Sequence, residues 1–288
     1  MTQTSKITAS DRADFGFDFG DGFGNSVAIS GNLAIIGAHT DEDGVETNSG
    51  SVYLFDISDP SNPIEKVKFT ASDRAENDFF GITVAIDGNL AVVGAPNKNN
   101  FQGVVFLYDV SNPSNPVEIT QLEENMTTTN TNNRFGGNVV LENNLLMVGA
   151  TSEKVGNDAA AGAIYLYDVS NPSNPINTSK ITEDSSIDRG LVGFGGSIAI
   201  DGNLAVVGVK EGNFGFIGDP PTPPDGVFYV YDVSDPSNPI EKSRTSGLAN
   251  DGVKPFGVKV AIQGNLVIAV SYPANDLVLT FASDNASA

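Results

Sequence analysis

Carboxylates crowd two stretches near the N-terminus. Asp11, Asp14, Asp18 and Asp21 lie in DRADFGFDFGDG, and Asp41, Asp43 and Glu46 lie in TDEDGVE. Flexible oxygen ligands at alternating spacing suit calcium, a hard cation that takes about six to eight of them. Neither stretch matches an EF-hand loop or a nonapeptide β-roll repeat. Solvated loop acids are the simpler reading. The expectation is no required cofactor and, at best, a low-affinity calcium site on Asp14, Asp18 and Asp21. One base stands near the start of each loop or inner strand that opens a repeat: Arg12, Arg74, Arg134, Arg189 and Lys254. Paired locally with Asp11, Asp73 or Asp188, such residues contribute little. Gathered at one mouth, they would hold an anionic small molecule. Arg74, Arg134 and Arg189 are therefore binding candidates, with Asp41 and Asp43.

Covalent catalysis finds little material. Cysteine is absent and the single histidine, His39, sits beside TDEDG. No nucleophile elbow, metalloprotease helix or phosphate loop is visible. His39 and Tyr272 are the catalytic candidates. Asp or Glu acting with Arg and Tyr needs no local motif and stays open. In EGNFGFIGDPPTPPD the apolar Phe214, Phe216 and Ile217 precede a stiff PPTPP run. They form a lid or a docking knob, or they fold down onto the chain.

The elements that must carry these residues are repeats. Five phrases align: FGNSVAISGNLAIIGAH from Phe23, FGITVAIDGNLAVVGAP from Phe80, FGGNVVLENNLLMVGAT from Phe135, FGGSIAIDGNLAVVGVK from Phe194 and FGVKVAIQGNLVIAVSY from Phe256. A third segment follows four of them, at Gly50, Gly103, Gly162 and Gly226, and a fourth starts at Ile64, Val117, Ile176 and Ile240. The fifth copy has only LVLTF, Leu277 to Phe281. Short runs of Val, Ile, Tyr and Phe bounded by Gly, Asn, Asp and Pro are strand signals, and no segment keeps a helical period. Pairs such as Asp87-Gly88 and Gly202-Asn203 mark tight hairpin turns. Four short antiparallel strands per unit make a propeller blade, which must stack on neighbours to bury both faces. The hexapeptide TASDRA at Thr8 recurs at Thr70, at the end of a fourth strand, so the N-terminus reads as the strand missing from the last blade. The reading is all-β: one five-bladed β-propeller domain over 1–288, four antiparallel strands per blade, with an N-terminal strand completing the last blade. The blades run about 15–73, 74–125, 126–184, 185–247 and 248–288 plus 5–11.

YDVSNPSNP and its variants, at Phe55, Tyr108, Tyr167 and Tyr231, join strands three and four. Asp168, Ser170 and Asn171 can cap local backbone donors, and Pro172 and Pro175 fix φ. The phrase reads as a rigid bottom turn, lying with the 1–2 turn. The opposite, top end carries the 2–3 and 4–1 loops. These run from a few residues around Asn97 to Gln102 up to the excursion from Lys210 to Asp225. Loops that vary on a rigid scaffold are where function usually sits. Lys259 is a further binding candidate, because it replaces the Ser, Thr or Asn of the other inner strands.

FGxSVAIDGNLAVVGAP and GxVYLYD resemble FG-GAP repeats, the blades of integrin-α-type propellers and many bacterial surface proteins. That resemblance implies a propeller. Its calcium-binding form carries an Asp-rich loop between strands one and two, where this chain has only two-residue turns, so that site is not carried over. A net charge of −21, from 36 acids against 15 bases, repels nucleic acid and anionic lipid. No apolar run spans a membrane. If Met1 is the native start, a cytoplasmic location is expected; if the chain is a trimmed fragment, an extracellular or cell-surface one. Two functions follow. The first is a non-catalytic propeller that binds a protein, glycan or small molecule on its acidic top loops. The alternative is an enzyme with an Asp/Glu-Arg-Tyr site at the channel mouth, for example in natural-product biosynthesis.

Overall fold

The repeats become sheets. A computed structural model describes residues 4–11, 20–42, 47–124, 132–155, 161–183, 192–211, 227–246, 259–270 and 277–281. The chain divides into two compact units, one of Met1–Thr131, Phe135–Leu141 and Asn171–Asn174, the other of Asn132–Arg134, Glu142–Ser170 and Pro175–Ala288. The first sheet holds β1 (Phe23–Ser30), β2 (Leu33–Ala38), β3 (Ser51–Asp56) and β4 (Ile64–Phe69). The second holds β5 (Thr83–Asp87), β6 (Leu90–Ala95), β7 (Val104–Asp109) and β8 (Val117–Leu122). The third holds β9 (Phe135–Glu142), β10 (Leu145–Ala150), β11 (Ala163–Asp168) and β12 (Ile176–Thr182). The fourth holds β13 (Val192–Asp201), β14 (Leu204–Glu211), β15 (Val227–Asp232) and β16 (Ile240–Ser246). The fifth has three strands, β17 (Lys259–Gln263), β18 (Leu266–Val270) and β19 (Leu277–Phe281). In each sheet spatial order equals sequence order.

Burial explains the strand sequences. Middle strands such as β3 and β7 are covered on both faces and read as unbroken apolar runs. Outer strands such as β4 and β8 keep polar residues and are half-buried. Each 3–4 pair slips register at one place, between Leu54 and Phe55 in the first sheet and at the matching pairs in the next three. In the first unit, Ile35, Val52 and Leu54 of one sheet pack with Val84, Ile86 and Val93 of the next. In the second, Val206, Phe228 and Val230 pack with Val267 and Ala269. The phenylalanines of three FG pairs anchor their own blades. Phe23 meets Tyr53 edge-on at 5.1 Å, Phe80 meets Phe106 at 5.3 Å, and Phe194 meets Tyr229 at 5.4 Å. Burying one such ring contributes roughly 1.5–3 kcal/mol.

Glycines mark where neighbouring sheets touch. A methyl group on Gly50 would drive into the Phe80 carbonyl, and one on Gly103 into that of Phe135. The same loops accept the phenylalanine N–H groups: Phe80 donates to Ser49 O at 3.1 Å, and Phe135 to Gln102 O at 2.9 Å. Inner strands are tied by side chains. Val84 N–H donates to Ser26 Oγ at 3.0 Å, and Gly88 N–H to Ser30 Oγ at 2.9 Å. In the second unit Val260 N–H donates to Ser197 Oγ at 3.0 Å.

The repeated nine-residue phrase is a double turn. Asp168 accepts from Ser170 N–H at 2.8 Å and Asn171 from Ser173 N–H at 3.3 Å, with the same pattern at Asp56, Asp109 and Asp232. These bonds to Ser58, Ser111, Ser170 and Ser234 hold the four aspartates below the usual carboxylate range. The turn is locked to the 1–2 hairpin of its own sheet, since Ile57, Val110, Val169 and Val233 donate to Asn32, Asn89, Asn144 and Asn203. Both turns therefore share one end of the sheet.

The N-terminal segment differs from the expected strand, because residues 4–10 carry no ladder pairing. Side chains dock it onto the first sheet instead. Ser5 Oγ donates to Pro60 O at 2.7 Å, Ser10 Oγ donates to Glu65 Oε1 at 2.8 Å, and Ala9 enters the core beside Ile36, Tyr53 and Phe55. Ser179 of β12 makes the same bond to Pro236 O at 2.7 Å. The segment thus sits on the first sheet as an outer strand sits on the blade that follows it.

Candidate functional site

Opposite the double turns lie the 2–3 and 4–1 loops. Charged residues are buried beneath them. In the first sheet Lys68 of β4 stands across from Tyr53 of β3. Its Nζ lies 2.6 Å from Asp41 and 2.5 Å from Asp11, and 5.6 Å from the centre of the Tyr53 ring. Tyr53 donates to Asp11 at 2.7 Å, and Ser51 Oγ donates to Asp41. Burial works against the Lys68 charge, but its bonds to Asp11 and Asp41 outweigh that and raise its pKa above the ordinary lysine value. Burial and the bond to Asp11 push the Tyr53 hydroxyl upward as well.

The second sheet solves the same problem with other residues. Lys98 follows Ala95 by three positions, as Asp41 follows Ala38. It is 5% exposed, and its Nζ meets Asp78 Oδ2 at 3.0 Å, Asp73 O at 2.8 Å and Asp73 Oδ1 at 3.3 Å. Phe106 and Gln121 stand where the first sheet has Tyr53 and Lys68. The cation has moved from the outer strand to the loop. In the second unit Glu153, three residues past Ala150, accepts from Tyr165 Oη at 2.7 Å and pairs with Lys180. Lys180 lies 4.9 Å from the centre of the Tyr165 ring. Asp41, Lys98 and Glu153 are all buried at one repeat position, with opposite signs. Removing one partner of such a pair costs far more than the pair contributes.

Asp41 is thus a buried tie beneath its loop. Asp21 is half-buried, and its carbonyl accepts from Thr40 N–H at 3.3 Å. It precedes Phe23 by two residues, as Asp78, whose carboxylate holds Lys98, precedes Phe80. His39 is half-buried and edge-on to Phe79 at 5.6 Å, with Nδ1 closed off from water beside Gly22. Burial lowers its pKa. Arg74 lies half-buried in the 4–1 loop, and Arg134 is exposed. Lys259 is exposed at the start of β17 and offers no acceptor where Ser26 and Ser197 accept a backbone N–H. Asp14, Asp18, Asp43, Arg189, Phe214, Phe216 and Tyr272 lie outside the described residues. Among the described residues no group of three or more His, Cys, Asp or Glu is arranged to hold a metal ion.

Two features of this end carry no sequence motif. The residue before each FG pair is left-handed in four blades: Gly22 (φ 68°), Phe79 (57°), Arg134 (53°) and Gly193 (83°). Asn99, Asn100 and Phe101 are left-handed in succession, at 56°, 58° and 66°. A column of aligned repeats would have exposed the first, since glycine alternates there with bulkier residues. The second sits in a loop, KNNFQ, that reads only as polar.

A family model for the FG-GAP repeat matches residues 1–55 and 64–108, and one for the LVIVD repeat matches residues 48–71, 164–182 and 193–246. No curated protein matches the chain. Among solved structures, a chain from a crystal structure of a nidogen/laminin complex is similar in fold, with TM-score 0.50 and 9% identity, covering 89% of this chain and 75% of that one. With five sheets built in sequence order from the repeats, these likenesses make the chain a repeat β-propeller.

Proposed function

We propose that the chain is a non-catalytic propeller that binds a partner protein through its 2–3 and 4–1 loops. The observation that carries this reading is the repeat position of Asp41, Lys98 and Glu153. Each charge is neutralised internally, in the first and third sheets by a lysine of the outer strand and in the second by two loop aspartates. Within its own sheet each cluster holds the base of a loop while the loop's sequence changes, as a recognition surface requires. The tyrosines favour binding over catalysis. Tyr53 and Tyr229 donate to Asp11 and Glu183, and burial followed by those carboxylates pushes their pKa values up, away from what a general base at neutral pH needs. The nidogen/laminin chain of similar fold comes from a protein complex, which supports the same reading. A loop exchange tests it. Replacing Glu42–Asn48 by a Gly/Ser segment of equal length, which spares Asp41, weakens capture of the partner, while changing Asn171 to Asp in the bottom turn leaves it intact. Capture that survives replacement of every top loop rejects the proposal, and a glycan or metabolite retained in place of a protein redirects it.

A further inference from the structure

His39 follows the last residue of β2, where Pro96 and Thr151 follow the last residues of β6 and β10. Neither of those side chains titrates near neutral pH, and His39 is the only histidine in the sequence. Its ring is held between two loops. On one side it meets Phe79 edge-on at 5.6 Å, in the 4–1 loop that leads into the second sheet. On the other its Nδ1–Cε1 edge lies against Gly22, where an added methyl group would come within 2.8 Å of Nδ1 and 2.9 Å of Cε1. Nδ1 is buried with no hydrogen-bond partner among the described residues. Turning the ring over would set Nε2 where Cε1 stands, so a ring nitrogen faces Gly22 in either orientation. Imidazolium carries an N–H on both nitrogens, so a proton here would bury a charged donor that has no acceptor. The charges on the packed segments do not offset that cost. Asp78, beside Phe79, is taken by Lys98 and by Ala75 N–H, and Asp41 by Lys68 and Ser51. Glu42, Asp73 and Glu76 are exposed, and Asp21 and Arg74 are half-buried. Burial is what moves the His39 pKa, and it moves it down. The segment against the ring is lightly tied: Thr40 N–H donates to Asp21 O at 3.3 Å and Thr40 Oγ1 to Gly20 O at 3.0 Å. Such a segment opens locally at less cost than its sheet unfolds.

We infer that His39 is a pH-sensitive latch. As neutral imidazole it holds Gly20–Gly22 against the 2–3 loop of the first sheet; on protonation it lets that segment go, and the loops release their partner in mild acid. The release rests on the protein-binding reading above, whereas the latch itself is a property of the free chain. The single histidine gives one ring signal to follow by NMR, with amide exchange of the whole chain alongside. The ring should titrate below its ordinary value of 6.5. Exchange of the Thr40 amide, corrected for the intrinsic rate, should speed up several-fold between about pH 7.5 and 5.5. About tenfold is the ceiling, because the open segment, with the ordinary value of 6.5, holds its proton about ten to one at the lower pH. His39→Thr, which copies Thr151 of the third sheet, should keep the fold and abolish the change. In dilute urea the Thr40 rate should stay flat, because a local opening exposes little surface, while that of buried Val93 rises. A protein captured at pH 7.5 should leave the parent chain at about pH 5.5 and stay on His39→Thr. A ring that titrates at or above 6.5, the same acid response in the variant, a Thr40 amide that follows Val93, or a captured protein that stays on the parent overturns the inference. The first three are read without a partner, so their failure leaves the protein-binding reading to the Glu42–Asn48 exchange.

Discussion

Replacing Lys68 by Gln removes the cation that bridges Asp11 and Asp41. The Asp41 side chain is 8% exposed, and stranding a carboxylate at such depth costs about 3–5 kcal/mol. The Asp11 side chain is 44% exposed, so its share is screened and adds less than about 1 kcal/mol. Ser51 still donates to Asp41, and the Lys68 side chain is 18% exposed, so water reaches the gap. The low end applies, about 3 kcal/mol in all. With a urea slope of about 2 kcal/mol/M, the midpoint of the first unit's transition falls by roughly 1.5 M. The second sheet supplies the compensation. Asp41→Lys with Tyr53→Phe and Lys68→Gln copies Lys98, Phe106 and Gln121 into the first sheet. The acceptors already stand there, since Asp11 matches Asp73 and Asp21 matches Asp78 in the repeat. The triple variant should return to within about 1 kcal/mol of the parent, a coupling that only neighbouring residues show. Asp41→Lys alone, with two ammonium groups facing each other, should be less stable than Lys68→Gln. A triple variant no more stable than Lys68→Gln would refute the idea that the two clusters are alternative solutions to one problem.

Other outcomes follow from the same geometry. Gly50→Ala, whose methyl meets the Phe80 backbone at φ 84°, should cost more than about 3 kcal/mol by urea denaturation, against about 1 kcal/mol for Gly88→Ala, which at φ 56° faces open space. Stability should be flat between about pH 7 and 9, with a first loss below that plateau, because His39 is held by burial under its ordinary value of 6.5 and takes up its proton more readily in the unfolded chain. At lower pH it should fall further, because the lowered aspartates at 56, 109, 168 and 232 contribute above their ordinary value of 3.8 and lose that contribution as pH drops through their native values. Above the plateau the raised Tyr53 and Tyr229 act in the other direction, so stability is lost as pH climbs past their ordinary value of 10.0. Denaturant midpoints taken across pH check both limbs, and changing the four aspartates to Ala should flatten the acid one.

The strands were legible because each is a short apolar run punctuated by Gly, Asn or Pro. β19 falls on Leu277–Phe281, and β4, β8, β12 and β16 begin where the segments after the prolines begin. The double turn was legible because Asp, Ser and Asn cap donors within a few residues, so nothing distant is needed. Docking of the N-terminal segment was foreshadowed by TASDRA, but its side-chain mode of attachment was not. The buried charges were hidden for a different reason. Asp41 in TDEDG looks like a solvated loop acid, and only Lys68, on another strand, makes it an internal tie. Lys98 and Glu153 belong to no motif; the clue was a column three residues past each Gly-Ala, where Asp, Lys and Glu alternate while Tyr/Lys changes to Phe/Gln. The LVIVD match over residues 48–71, 164–182 and 193–246 covers three of the four proline turns, so the segment around them has a repeat likeness distinct from that of the FG phrases.

Hydrogen exchange of the whole chain, with and without a captured protein, distinguishes recognition by the 2–3 and 4–1 loops from recognition by the double turns. Loop recognition gives new protection over Thr40–Gly50, Pro96–Gly103 and Thr151–Glu153, with the turns around Asn62, Asn115, Asn174 and Asn238 unchanged. Protection confined to those four turns, with the opposite loops exchanging as before, would contradict it.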